Sequence, residues 1–172
     1  MAKSAKATQQ KVNVLIVDDH PIVRQGIKGL LEQEKDVVVC GEADSAGEAL
    51  TFISSQRPSI IVLDISLNGS DGLELTKAIR ARDAKLPILI MSMHDESLYA
   101  ERALRAGANG YIMKKEVAGN LIQAVRRVLS GDIYVSENAR QRILHNVTGG
   151  AAAAESPVNR LSDRELEVFR LI

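Results

Sequence analysis

Five short apolar runs recur along the chain, at Val14–Val17, Val37–Cys40, Ile60–Leu63, Ile88–Met91 and Tyr111–Met113. Polar residues do not alternate within them, which suits strands buried on both faces, as in a parallel sheet covered by helices. Between the runs, the segments Ile22–Gln33, Ala46–Ser55, Gly72–Arg82, Ser97–Ala106 and Val117–Leu129 carry a helical period. In the third segment Leu73, Leu75, Ala78 and Ile79 fall on the inner side, and Lys77, Arg80 and Arg82 fall outside. Five βα units with short connections result. The right-handed rule for such crossovers then predicts an α/β fold, a doubly wound five-stranded parallel sheet between two helical layers.

This pattern occupies residues 12–132, behind a polar tail at residues 1–11. After Gly131 the sequence changes character. Residues 133–160 read as a linker, partly helical over Ser136–Asn146, with the small-residue stretch TGGAAAAESP at its end; such a stretch has no means of burying a core. Next, Ser162 and Glu165 have capping-box spacing ahead of Leu166, Val168, Phe169, Leu171 and Ile172, which predicts a helix start. Nothing in residues 161–172 offers a surface for that apolar face, so the segment reads as the truncated beginning of an all-α domain.

Charge narrows the function. Lys plus Arg and Asp plus Glu number 22 each, so the chain as a whole has no basic field for nucleic acid and no polybasic attraction to a membrane. The single cysteine, Cys40, excludes an intrachain disulfide and reads as a core residue of a reducing compartment. No run approaches the ~18 apolar residues of a membrane span. The expectation is a cytoplasmic protein.

The chemistry lies in the residues that end the apolar runs. The first run ends in Asp18 and Asp19, the third in Asp64, the fourth in Ser92 and the fifth in Lys114. Parallel strands point one way, so these ends share one rim, where open α/β sheets place ligands. Carboxylates crowded there repel: two unit charges ~4 Å apart cost about 4 kcal/mol at an effective dielectric of 20. A divalent cation or proton uptake must relieve that, and oxygen donors without cysteine point to Mg2+. Asp64, alone at the end of a central strand, is the best candidate for a nucleophile taking a phosphoryl group. Asp18 or Asp19, with the backbone carbonyl of Ser66, would hold the metal, and Lys114 and Ser92 would meet phosphate oxygens. Each residue also has a plainer reading. Asp19 or His20 before Pro21 marks a helix start, Asp64 precedes a turn, Ser92 is a strand-end hydroxyl and Lys114 a solvated lysine. His94 and His145 read as surface histidines, and Asp95 as a helix cap.

The motifs VLIVDDHP (14–21), IVLD (61–64), Asp71-Gly72, Met91-Ser92 and GYIMK (110–114) resemble a response-regulator receiver domain of the NarL/FixJ type, over residues 12–132. LSDRELEVFRLI (161–172) resembles the opening of a LuxR-type helix-turn-helix domain. The resemblance implies a flavodoxin-like, CheY-like fold and a two-component regulator, not an enzyme, whose Asp64 takes phosphate from the histidine of a sensor kinase. It further implies Mg2+ binding by Asp18 and Asp19, phosphate contact by Lys114 and a switch pair of Ser92 and Tyr111. Homodimerisation on phosphorylation is usual among similar regulators. DNA binding is expected only of a form that carries the complete output domain, since a major-groove reader needs its recognition helix. Two departures stand out: Asn68 where such domains usually have proline, and Lys115 directly after Lys114. The competing readings are a stand-alone receiver relay without DNA binding, and a Mg2+-dependent aspartyl-phosphate phosphohydrolase. The latter lacks its usual DxDx[TS] signature after the first strand.

Overall fold

The computed structural model of the chain describes residues 11–148. Most of the expected tail, the small-residue end of the linker and the capping-box helix at 161–172 lie outside the described residues. Strands β1 (Val12–Val17), β2 (Val37–Ala43), β3 (Ile60–Asp64), β4 (Ile88–Ser92) and β5 (Gly110–Met113) form one sheet in the order 2-1-3-4-5. All pairings are parallel. Helices α1 (Pro21–Leu31), α2 (Ala46–Gln56), α3 (Gly72–Arg82), α4 (Glu96–Ala106) and α5 (Val117–Leu129) connect and cover them. The predicted fold class is the observed one.

Strand periodicity sorts the apolar runs into two cores. Val14 and Ile16, Ile60 and Val62, Leu89 and Met91, and Ile112 pack with α1 and α5 through residues such as Leu31, Leu121 and Val125. The intervening Leu15, Val17, Ile61, Leu63, Ile90 and Tyr111 are fully buried as well, and alternation turns them to the other face, where α2, α3 and α4 pack in succession. Each such side chain contributes roughly 1.5–3 kcal/mol of burial free energy. Double-sided burial is therefore the reason the central runs show no polar alternation.

β2 departs from the expectation of burial on both faces. It is an edge strand, and only Val37 and Ala43 are buried. Val39 pairs with Val14 and Gly41 with Leu15, so Cys40 is the extra residue of a bulge. The thiol is half-buried, donates to the Val14 carbonyl at 3.4 Å, and has its pKa raised by burial. The strand runs past its apolar stretch because Gly41 leaves room for the Phe52 ring, which would lie 2.2 Å from a Cβ there, and because Glu42 pairs with Lys28 at 3.1 Å and Arg24 at 3.4 Å.

Arg80 also corrects the outward assignment. Its guanidinium turns in and donates to the carbonyls of Gly107 (2.7 Å) and Leu86 (2.6 Å) and to Asn109 Oδ1 (2.7 Å), tying α3 to the turn before β5. Beyond residue 132 the chain still pairs with the sheet: Tyr111 N–H donates to the Tyr134 carbonyl at 2.7 Å, and Tyr134 N–H to that of Asn109 at 3.1 Å. The chain divides into two compact units after Ser136, and helix α6 (Glu137–Thr148) belongs to the second. Among the described residues no helix is long and apolar enough to cross a membrane.

The start of α3 fixes the loop after β3. Asp71 caps the helix by accepting the Leu73 N–H at 2.8 Å, and Gly72 N–H donates to the Ile65 carbonyl at 2.8 Å. A Cβ on Gly72 would lie 2.4 Å from the Asp64 carbonyl oxygen and 2.7 Å from Ile65 Cα, both backbone atoms. Gly72→Ala is expected to lower stability by about 1–3 kcal/mol, as overpacking does. Gly119→Ala, in open space on α5, should be neutral or raise it by up to about 1 kcal/mol. Urea unfolding of the two variants checks the contrast.

Candidate functional site

In the order 2-1-3-4-5 the winding reverses between β1 and β3, which places the crevice at their carboxyl ends. Val17 pairs with Leu63, so Asp18 and Asp64 follow abreast on neighbouring strands. Asp18 is fully buried and the Asp64 side chain is 3 % exposed. Lys114, just beyond β5, donates from Nζ to Asp18 Oδ2 and to Asp64 Oδ2, each at 2.7 Å. Lys114 rather than Lys115 is thus the lysine at the cluster; Lys115 is exposed.

The Asp-Asp pair does not serve as a helix cap. His20 is the N-cap of α1, with Pro21 at the first turn and no side-chain cap bond. Asp18 Oδ1 instead accepts the His20 N–H at 2.8 Å, and Asp19 Oδ2 accepts the Asn68 N–H at 3.0 Å. The second oxygen of Asp19, Oδ1, is buried and accepts no hydrogen bond. His20 Nδ1 lies 2.7 Å from it.

Electrostatics at the cluster are opposed. Burial pushes the Asp64 carboxyl above its usual range; Lys114 pulls it down, the Asp18 charge pushes it further up, and the raised direction prevails. Burial alone would lower Lys114, but its hydrogen bonds to Asp18 and Asp64 and their charges outweigh that and hold the ammonium above an ordinary lysine. Lys114 therefore stays charged and keeps two buried carboxylates from facing each other unscreened.

A second group adjoins the cluster. Ser92 is fully buried, and its Oγ accepts the His94 N–H at 2.9 Å. The Tyr111 ring is fully buried too, with its hydroxyl donating to the His94 carbonyl at 2.9 Å. His94 Nε2 lies 3.1 Å from Ser66 Oγ, and its ring stacks on Tyr99 at 4.7 Å and 18°. Ser66 in turn donates its N–H to Asp64 Oδ1 at 3.3 Å and opens a two-residue strand (Ser66–Leu67) paired with Ser70–Asp71 around Gly69, at φ +74°. His94, read as a surface histidine, thus links the loop after Asp64 to Ser92 and Tyr111. Nothing in its sequence context marks it, because its links to Ser92 and Tyr111 are made by backbone groups and its ring meets Ser66 only through the tertiary fold. Asp95 caps α4 as expected, accepting the Ser97 N–H at 2.7 Å.

The residues fit a divalent cation. Three carboxylates and one ammonium leave two negative charges, and one buried carboxylate oxygen has no donor. Donor atoms of Asp18, Asp19, Asp64 and His20 all lie within 4.8 Å of one another. Hard oxygen donors of this kind suit Mg2+. His20 was absent from the expected metal set; its only sequence signal is adjacency to the two aspartates.

A receiver-domain model, described as Response regulator receiver domain, matches residues 14–126. The chain belongs to the response-regulator family. Response regulator UvrY of Escherichia coli (strain K12) is 35% identical over 162 residues, covering 94% of this chain and 73% of its own. Nitrate/nitrite response regulator protein NarL of the same strain is 29% identical over 166 residues, covering 96% of this chain and 77% of its own. Among solved structures, a LuxR-family two-component response regulator from Aurantimonas sp. SI85-9A1 is similar at TM-score 0.74 and 38% identity, over 80% of this chain and 99% of that one. These relatives place the chain with regulators of the NarL/FixJ type, a family of non-enzymatic signalling proteins, and its acidic cluster is consistent with the Mg2+ site of receivers.

Ligand binding to the folded state alone stabilises it by about 2.7 kcal/mol at a hundred times Kd. Mg2+ should therefore raise the melting temperature of the response regulator. Asp19→Asn, which removes one of the three crowded negative charges, should raise metal-free stability by about 1–3 kcal/mol through relieved repulsion, and abolish the Mg2+-dependent increment. Thermal unfolding with and without chelator measures both.

Proposed function

We propose that this response regulator receives a phosphoryl group on Asp64 from the phosphohistidine of a sensor kinase, with Mg2+ at Asp18, Asp19, Asp64 and the Ser66 backbone carbonyl. The observation that carries the reading is the Lys114 bridge to Asp18 and Asp64 beside the donorless Asp19 oxygen. A carboxylate oxygen of Asp64 attacks phosphorus, the P–N bond breaks, and the kinase imidazole leaves with the electron pair. When bound, Mg2+ supplies charge that screens the carboxylates from the phosphoryl oxygens. Lys114 then exchanges one carboxylate contact for a phosphoryl oxygen, as a point charge on a flexible stem can. The Ser92 hydroxyl turns from the His94 N–H to donate to another oxygen, so charge is stabilised from two sides.

That rotation releases the His94 backbone, which also holds the Tyr111 hydroxyl. Ser92 and Tyr111 are then a switch pair joined through one residue. The Tyr111 ring already lies inward, so the signal changes which partner holds it rather than driving it across the surface. Moving a population from 1:99 to 99:1 takes about 5.5 kcal/mol, which a few charge-assisted hydrogen bonds supply. The readout would be a LuxR-type DNA-binding domain in a form that carries one complete, in the cytoplasm, with homodimerisation as the response to phosphorylation.

Acetyl phosphate with Mg2+ should add one phosphoryl mass to the intact chain; a shift that survives Asp64→Asn, or no shift at all in the parent, would overturn the assignment. Lys114→Ala should blunt the phosphate-induced change in the spectrum of Tyr111, and Lys115→Ala should leave it intact. Equal behaviour of the two variants would remove Lys114 from the mechanism.

A further inference from the structure

The metal cluster contains a nitrogen. His20 Nδ1 lies 2.7 Å from Asp19 Oδ1 and 3.3 Å from Asp18 Oδ1. An octahedral ion with bonds of about 2.1 Å sets neighbouring donors about 3.0 Å apart and opposite donors about 4.2 Å apart. The two separations bracket the first value, and the 4.8 Å spread of the four donors is close to the second. Nδ1 is hydrogen-bonded to Asp18 Oδ1, whereas its shorter, ion-pair approach to Asp19 leaves Oδ1 without a hydrogen bond, although that side chain is only 8 % exposed. A carboxylate oxygen and an imidazole nitrogen, side by side and within 4.8 Å of the other carboxylate donors, have the spacing of adjacent ligands. The backbone supports it, since the His20 N–H is pinned to Asp18 Oδ1 at 2.8 Å and Pro21 restrains the chain behind it.

We propose that His20 Nδ1 is a protein ligand of the receiver metal site, and that it shifts the site's preference from Mg2+ toward borderline divalent ions such as Mn2+, Ni2+ or Zn2+. The inference rests on the metal reading of Asp18, Asp19 and Asp64 given above. Magnesium prefers carboxylates and water, whereas imidazole favours first-row transition ions. An exposed ring, replacing one water on the solvent side, adds nitrogen to an otherwise all-oxygen set without displacing Lys114.

His20 is 66 % exposed and makes no side-chain cap bond, so His20→Ala leaves the fold intact. Calorimetry of the untagged chain should show Ni2+ binding weakened on the order of tenfold in this variant, with Mg2+ affinity changed by less than about twofold. Pulsed paramagnetic resonance of bound Mn2+ should show coupling to an imidazole nitrogen in the parent and none in His20→Ala. Coupling absent from the parent, or persisting in the variant through another histidine, overturns the proposal and leaves the Mg2+ site standing. Mn2+ binding that is unaffected by Asp18→Asn overturns the metal reading itself, and this inference with it.

Discussion

Repulsion among Asp18, Asp19 and Asp64 is the constraint to which the rest of this molecule answers. Parallel register makes it unavoidable: with Val17 opposite Leu63, the next residue of each strand is an aspartate, and both are buried. Such a pair survives folding only if a cation is brought to it. Lys114 does so from β5. Met113 pairs with Ser92, while Asp64 pairs one residue earlier on β4, with Met91. Lys114 therefore starts farther out on the rim and two strands away from Asp64, roughly 9–10 Å at ordinary strand spacing. Only a long side chain closes that gap. The bridge thereby joins three strands whose sequence separations are 96 and 50 residues.

Around that bridge the loops are held by backbone groups rather than by side-chain packing. Gly72 lets the first turn of α3 lie against the Asp64 and Ile65 backbone, while the Asn68 N–H fastens the same loop to Asp19. On the other side His94 receives three elements: Ser92 through its N–H, Tyr111 through its carbonyl and Ser66 through its ring. Rigid strand ends thus face loops whose hydrogen bonds can be exchanged one at a time. A change at the carboxylates has a short physical route to Tyr111, and no rearrangement of the apolar sheet is needed.

What was legible in the sequence follows from how each signal is generated. Fully buried parallel strands cannot be polar, so Val14–Val17, Ile60–Leu63 and Ile88–Met91 declared themselves, and the polar residue ending each run named the rim. Edge position, by contrast, depends on which strand lacks a neighbour. β2 read as doubly buried, although its sheet partner lies on one side only and Cys40 sits at a bulge. Arg80 fell on the outer side of a helical wheel, but a guanidinium reaches several ångströms back, here to the turn before β5. His20 and His94 were missed because a histidine's partners are set by tertiary approach, and both approach through loops that periodicity cannot describe. The resemblance to receivers named Ser92, Tyr111 and Lys114 together; it said nothing of the residue that connects the first two.

The choice of a single lysine is itself informative. Had the cluster been neutralised fully, by three basic side chains in place of one, it would have little remaining affinity for a divalent ion. With one ammonium the residual charge of minus two is the charge one divalent cation balances, and one buried oxygen of the cluster, Asp19 Oδ1, is left without a donor. The fold tolerates this deficit because the strands beneath the rim are buried on both faces along their central stretches and carry the stability. Fold and site thus divide the work along each strand: the apolar run holds the sheet together, and its last residue is kept short of compensation so that something must bind.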